Sequence, residues 1–177
     1  YLEEFNKNKG TALVSVAGIH LEPMGVYSRK HSSFTISSDG VSIAVPNDPT
    51  NESRALDIIA KTGVVTFKES ALKTPLDIVS NPKNIVFKEL EAAQMPRALD
   101  DTDFAVINSN FAMAAGLKPT EHSLVMEDKS SPYVNVLVVK AGNEESAKTK
   151  ALIKALQSEK VKAFIDEKYQ GAVVPAF

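Results

Sequence analysis

A strand, a turn rich in proline and asparagine, and a helix follow one another in the middle of the chain, and this order constrains the fold more than any other feature. The run Val41–Pro46 is apolar and contains three β-branched residues, as a buried strand does. The turn PNDPTN leads into a helix predicted from Asn51 to Thr62, which ends at Gly63. A strand that passes directly into a helix is the building unit of α/β sheets.

The same order recurs in outline further along the chain. Strands are predicted at 84–90 and 104–108, with helical pieces at 92–99 and 111–115. Alternating strands and helices with short connections favour a mostly parallel sheet covered on both faces. The predicted fold class is therefore α/β.

The two ends of the chain have a different character. Strands are predicted at 13–21, 23–28, 123–127 and 133–139, and two final helices are predicted with Asn143 and Ser158 as their caps. Residues 1–9 predict a helix that ends at Gly10, with no cap ahead of Tyr1. We therefore expect that the chain begins inside an element whose start is missing.

Composition and charge exclude several classes of function. Hydrophobic residues make up 44% of the chain, and a formal net charge of -2 with scattered lysines provides no basic surface for nucleic acid or membranes. Cysteine is absent, which excludes thiolate nucleophiles and disulfides. The three histidines lack metal-ligand spacing, and no phosphate-binding glycine loop or catalytic constellation is present. The sequence thus predicts neither a metal nor a cofactor.

Arg54 is a candidate anion-binding residue. With Thr50 or Asn51 as the helix cap, Arg54 would lie in or just beyond the first turn, where the helix end disfavours a cation by roughly a few tenths of a kcal/mol. One explanation is a bound carboxylate, held by the guanidinium and free backbone N–H groups. The alternative is a solvent-facing Arg54 paired with Asp57, and both interpretations stay open.

Two asparagines are candidate polar partners for a ligand. Asn108 ends a predicted apolar strand just before a helix, where ligands of open α/β sheets bind. Asn135 interrupts the run VNVLVV, which is apolar enough to be buried on both faces. A buried amide without partners costs about 1–3 kcal/mol, so Asn135 needs the backbone, a side chain or a ligand as its partner. A purely structural role for either amide remains the alternative.

Five segments in order along the chain resemble the NLPA lipoprotein family, the methionine-binding lipoproteins of bacterial ABC importers. They are PNDPTNESRAL, ELEAAQMPRALDD, AVINSN, EDKSSPYVN and the C-terminal YQGAVVPAF. The resemblance covers essentially the whole chain, apart from a family segment expected before Tyr1. It implies a type II periplasmic-binding-protein fold, with residues 1–37 and 112–177 in a first lobe that is incomplete at its N-terminus, and 38–110 in the second.

The resemblance also implies a function without catalysis. L-methionine or a close derivative would bind between the lobes, with its carboxylate on Arg54 and with Asn108 and Asn135 bonding its two charged ends. Tyr1 would help form the apolar wall, and Glu91, in the crossing region, would meet the ammonium or fix the hinge. A zwitterion requires these groups: a guanidinium fork, oxygens for its cation and a dry slot for its side chain.

Partners and location follow from the same resemblance. The expected partners are an ABC permease and its ATPase. The expected location is the cell envelope, either lipid-anchored on the outer face of the cytoplasmic membrane, through an anchor absent from this chain, or periplasmic. The missing segment would leave a sheet edge open, which favours a domain-swapped homodimer. The alternatives are a small α/β enzyme that holds a carboxylate substrate on Arg54, and an adhesin or other interaction module on the same fold.

Overall fold

The computed structural model describes residues 1–128 and 130–177; Lys129, in the EDKSSPYVN segment, lies outside them. Within these residues the helices and strands alternate over most of the chain. In chain order they are α1 (Leu2–Lys9), β1 (Leu13–Leu21), β2 (Gly25–Tyr27), β3 (Ser42–Pro46), α2 (Pro49–Lys61), β4 (Thr66–Phe67), β5 (Ile78–Ser80), β6 (Val86–Leu90), α3 (Met95–Ala98), β7 (Phe104–Ile107), α4 (Ser109–Ala114), α5 (Pro119–His122), β8 (Val125–Met126), β9 (Asn135–Lys140), α6 (Ala147–Leu156), α7 (Glu159–Tyr169) and β10 (Val174–Pro175).

The chain forms two compact units. Residues Pro23–Glu127 make the first, which we call the central unit, and Tyr1–Glu22 with Asp128–Phe177 make the second, the flanking unit. These boundaries lie outside the expected lobe of 38–110. The cause is strand pairing, because β2 and β8 pair with each other and β2 also pairs with β7. Residues on both sides of the expected lobe are therefore built into the sheet of the central unit.

The central unit contains a five-stranded sheet with the order β6-β3-β7-β2-β8. β3 runs parallel to β6 and β7, whereas β2 runs antiparallel to β7 and β8. The predicted mostly parallel sheet is therefore wrong for the half that holds β2 and β8. Strand direction depends on distant connections, and the apolar pattern of a single strand does not contain it.

Both faces of this sheet are covered, as predicted. Successive residues of a strand point to opposite faces, so Ile43 and Val45 pack with Leu56 and Ile59 of α2 in one buried cluster. Ala44 between them lies in a second cluster, on the other face. That second cluster includes Tyr27, Met95, Leu99 and Ala112.

The flanking unit contains an antiparallel three-stranded sheet with the order β10-β1-β9. Its first helix, α1, ends at Gly10 with a φ of 61°, as predicted. Ser158 caps α7, as predicted, by accepting a hydrogen bond from the N–H of Val161. The predicted Asn143 cap of α6 is wrong, because Ser146 accepts from the N–H of Thr149 and the helix starts three residues later.

Candidate ligand-binding site

The helix that carries Arg54 begins earlier than predicted. Asp48 is its cap and accepts a hydrogen bond from the N–H of Asn51 at 3.1 Å, with Pro49 at the first helical position. Neither Thr50 nor Asn51 is the cap. Arg54 consequently lies in the second turn, beyond the free N–H groups of the helix start, and a carboxylate held jointly by its guanidinium and those groups stays a prediction.

Arg54 is a buried residue with a buried acidic partner. It is 7% exposed, and its Nε lies 3.0 and 3.1 Å from the two carboxylate oxygens of Glu127. Its Nη2 donates to the same carboxylate. The alternative of a solvent-facing Arg54 is wrong because this residue is buried, and Asp57 forms an ion pair with Lys73 at 2.9 Å. The buried cation thus has a structural partner 73 positions away in the sequence.

Glu127 and Asn51 are site residues that sequence reasoning missed. Both lie within segments that resemble the family, but Glu127 follows a two-residue strand and looks like the start of a polar turn. The available signal was its position directly after the apolar run LVM, at the end of a predicted strand. Glu127 is 8% exposed, and a buried carboxylate needs a cation or several donors.

Asn108 lies at the carboxyl end of β7, as predicted, and joins a chain of amides. Its Nδ2 donates to Oδ1 of Asn51 at 2.9 Å, and Nδ2 of Asn51 donates to the carboxylate of Asp48. Oδ1 of Asn108 is buried and finds no hydrogen-bond partner in the part of the chain that the structure describes. A buried carbonyl oxygen of this kind is an acceptor available to a donor such as an ammonium group.

Asn108 is linked to the helix α2, which carries Arg54, through Asn51. Asn51, which binds Asn108, precedes Arg54 by three residues, and side chains three apart on a helix are neighbours. The central unit thereby links Asn108, with its unsatisfied amide oxygen, through Asn51 to the helix that carries Arg54. A guanidinium and an amide oxygen are suited to the carboxylate and the ammonium group of a zwitterion, respectively.

Asn135 and Tyr1 belong to the flanking unit. Asn135 opens β9 opposite His20 and is exposed, and Val136 after it is 39% exposed. The expectation that this run is buried on both faces is therefore wrong, because a strand of alternating apolar residues does not reveal what covers it. Tyr1 is 82% exposed, with its ring 6.3 Å from that of Phe5. Their ligand roles stay predictions.

Glu91 is exposed and precedes the short 3-10 turn Ala92–Gln94. It lies inside the central unit, far in sequence from the connections at 22–23 and 127–128. The expectation that it stands in the crossing region is thus wrong, and its contact with an ammonium stays a prediction. A buried acid of the same unit is Glu52, whose pKa rises to about 7 through burial and then through Glu89, two residues before Glu91.

Two further searches bear on the class of site. Across residues 1–128 and 130–177, no group of three or more acidic, histidine or cysteine side chains is arranged to hold a metal ion. The same residues include no helix with the length and apolar character needed to cross a bilayer.

The fold is that of the periplasmic substrate-binding proteins. An ABC transporter periplasmic substrate-binding protein from Coxiella burnetii superposes with a TM-score of 0.93 at 39% identity, over 99% of this chain and 75% of that chain. A nutrient binding protein from Burkholderia cenocepacia, solved bound to methionine, gives a TM-score of 0.94 at 42% identity, over 100% of this chain and 76% of that chain.

The family follows from the sequence comparisons. The NlpA lipoprotein family model matches residues 1–177, so the chain belongs to that family, as the five segments predicted. The D-methionine-binding lipoprotein MetQ of Salmonella typhi is 42% identical over 178 residues, which cover 98% of this chain and 66% of the relative. The chain spans about two thirds of the length of the curated relatives it matches. These relatives are named as lipoproteins and binding proteins, which removes the ground for the enzyme alternative.

Proposed function

We propose that this protein is the substrate-binding component of an ABC importer and that it binds methionine or a close methionine derivative. Membership of the NlpA family and relatives named for methionine binding support the proposal. The observation that carries it is the unsatisfied Oδ1 of Asn108, whose amide is bound to Asn51 on the helix that also holds the buried Arg54. A free amino acid supplies an ammonium donor for that oxygen and a carboxylate for a guanidinium.

The proposed roles divide between the charged ends and the side chain of the ligand. Arg54 binds the carboxylate, and Asn108 accepts from the ammonium group. Asn135 adds a second amide, Tyr1 contributes to the apolar wall, and Glu91 meets the ammonium or stiffens its own segment. Asn135, Tyr1 and Glu91 are exposed, and their three roles rest on the family resemblance alone.

The proposed partners are an ABC permease and its ATPase, and the proposed location is the cell envelope. Both a lipid-anchored form on the outer face of the cytoplasmic membrane and a free periplasmic form fit this location. The family name and the lipoprotein relatives support the envelope location. The expected strand-swapped homodimer also stays a proposal, which light scattering of the natural protein would test.

Calorimetric titration of the natural protein with a matched set of ligands tests the proposal. L-methionine and D-methionine are compared with methionine amide, which lacks the carboxylate, and with N-acetylmethionine, which lacks the ammonium group. We expect binding of free methionine and strong loss with both blocked forms. Absence of binding by either methionine enantiomer would defeat the proposed function.

Two variants separate the residues. Arg54→Ala should weaken methionine binding by about 2–5 kcal/mol, the range for truncating one partner of a buried charge pair. Arg29→Ala is the matched control, because Arg29 forms an exposed pair with Asp100. Asn108→Ala should weaken the binding of methionine more than that of N-acetylmethionine. Undiminished binding by Arg54→Ala would remove Arg54 from the site while leaving the protein's function standing.

A further inference from the structure

The peptide group between Pro23 and Met24 is held on both sides by side chains. Its carbonyl oxygen accepts a hydrogen bond from Oγ of Ser109, which is fully buried. Its N–H donates to Oε2 of Glu127 at 3.0 Å. This peptide follows directly after the point where the chain enters the central unit, between Glu22 and Pro23.

Glu127 stands at the other connection, as the last residue of the central unit. The carboxylate that accepts from the N–H of Met24 also binds Nε and Nη2 of Arg54. One buried carboxylate therefore joins Arg54 to both chain segments that lead into the flanking unit.

The contact between Arg54 and Glu127 involves one particular edge of the guanidinium group. A guanidinium has a side edge formed by Nε and Nη2 and an end edge formed by Nη1 and Nη2, and either edge matches a carboxylate. Glu127 occupies the side edge. Glu127 therefore fixes the orientation of the guanidinium plane through this edge.

We propose that Glu127 is a positioning residue for ligand binding, acting through Arg54, and that Ser109 is its counterpart beside Asn108. This inference rests on the proposed function. Glu127 aims the guanidinium, and Ser109 fixes the start of the helix that follows Asn108. Glu127 and Ser109 both bind the Pro23–Met24 peptide. This shared contact keeps Arg54 and Asn108 in fixed positions relative to each other.

The test compares methionine affinity and the state of Arg54 in matched variants of the natural protein. Glu127→Gln removes the charge, Glu127→Asp keeps it on a shorter side chain, and Ser109→Ala removes the hydroxyl. Two controls remove similar groups elsewhere. Thr102→Ala loses a buried hydroxyl that donates to the carbonyl of Ala98, and Asp103→Asn loses a carboxylate that accepts from the N–H of Ser42.

We expect Glu127→Gln to raise the Kd for methionine at least tenfold, Glu127→Asp to raise it less, and Ser109→Ala to raise it about threefold. Both controls should stay within twofold. The Nε–H signal of Arg54 in nitrogen-15 NMR spectra, identified by its loss in Arg54→Lys, should exchange slowly with water in the natural protein and rapidly in Glu127→Gln. If Glu127 had only a structural role, Glu127→Gln and the two control variants would lose affinity in the same proportion to their loss of stability.

Two results would overturn the proposal: a Kd within twofold of the natural value in folded Glu127→Gln, or an Arg54 Nε–H signal that exchanges equally fast with and without the carboxylate. If Glu127→Gln does not fold, Glu127→Asp gives the same two readouts. Failure of the natural protein to bind methionine would refute the proposed function instead, and the NMR comparison would still decide whether Glu127 positions Arg54.

Discussion

The carboxyl group of Glu52 predicts that the protein loses stability as pH rises through neutrality. Glu52 lies in the first turn of α2 and is 5% exposed, and its Oε1 has no hydrogen-bond partner among the described residues. Burial, then a hydrogen bond with Glu89 and the charges of Glu89, Asp48 and Asp77, raise its pKa to about 7. The positive helix end favours an anion by only about 0.3–1 kcal/mol, which is too little to offset burial.

The direction of the effect follows from the two pKa values. The ordinary pKa is 4.5, so the folded protein holds this proton more tightly than the unfolded chain. The resulting stabilisation is fully present below the ordinary pKa and is lost as pH rises through the folded value. At about 1.4 kcal/mol per pKa unit, the rise from 4.5 to about 7 corresponds to about 3 kcal/mol.

Urea denaturation followed by circular dichroism, between about pH 5 and pH 8, measures the effect. Glu52→Gln removes the titrating group, so the stability of the natural protein should fall relative to this variant as pH rises, towards the full difference of about 3 kcal/mol. Glu121→Gln, which changes an exposed carboxylate paired with Lys118, is the control and should follow the natural protein. Parallel pH curves for the natural protein and Glu52→Gln would refute the reasoning, because every other titrating group is common to both.

Three further changes test the packing and electrostatics of the central unit. Tyr27→Phe should leave stability unchanged or raise it by about 1 kcal/mol, as measured by thermal unfolding. The Tyr27 hydroxyl is buried without a partner among the described residues, and burial raises its pKa to about 12. Asp103→Asn should cost about 1–2 kcal/mol near neutral pH. The N–H and hydroxyl of Ser42 lower the pKa of Asp103 to about 2, and this contribution is lost in an acid titration as pH falls from its ordinary 3.8 through that value. Gly25→Ala should cost about 1–3 kcal/mol in urea denaturation, because the added methyl group would lie 3.0 Å from the Tyr27 ring and 3.1 Å from Cβ of Ser123.

Local patterns predicted the elements of the central unit well. The apolar run at β3, the turn at residues 46–51 and the helix α2 each depend on neighbouring residues, and the structure confirms their order. The 3-10 turn Pro75–Asp77 also follows from local turn chemistry. The strands β4, β5 and β10 were missed, since each has only two or three residues and exists through pairing with another strand.

The candidate site was predicted only in part, for a related reason. Arg54 and Asn108 stand out because each is a polar side chain beside an apolar element. Their partners do not stand out, because Glu127 is 73 positions from Arg54 and Asn51 is 57 positions from Asn108. Which acid neutralises a buried cation is decided by strand order, and the antiparallel placement of β2 and β8 was not predicted.

The first two turns of α2 depart from the pattern of an ordinary amphipathic helix. Glu52 and Arg54 are both buried, although charged side chains in a helix normally face water. The apolar residues Leu56 and Ile59 further along suffice to pack the helix on the sheet. Burial of these charges therefore opposes stability, and it is offset by Glu127 and by protonation of Glu52. Such a conflict between local pattern and packing is typical of a functional site. Under the proposed function, the C-terminal half of the helix packs on the core and its polar N-terminal half serves the ligand.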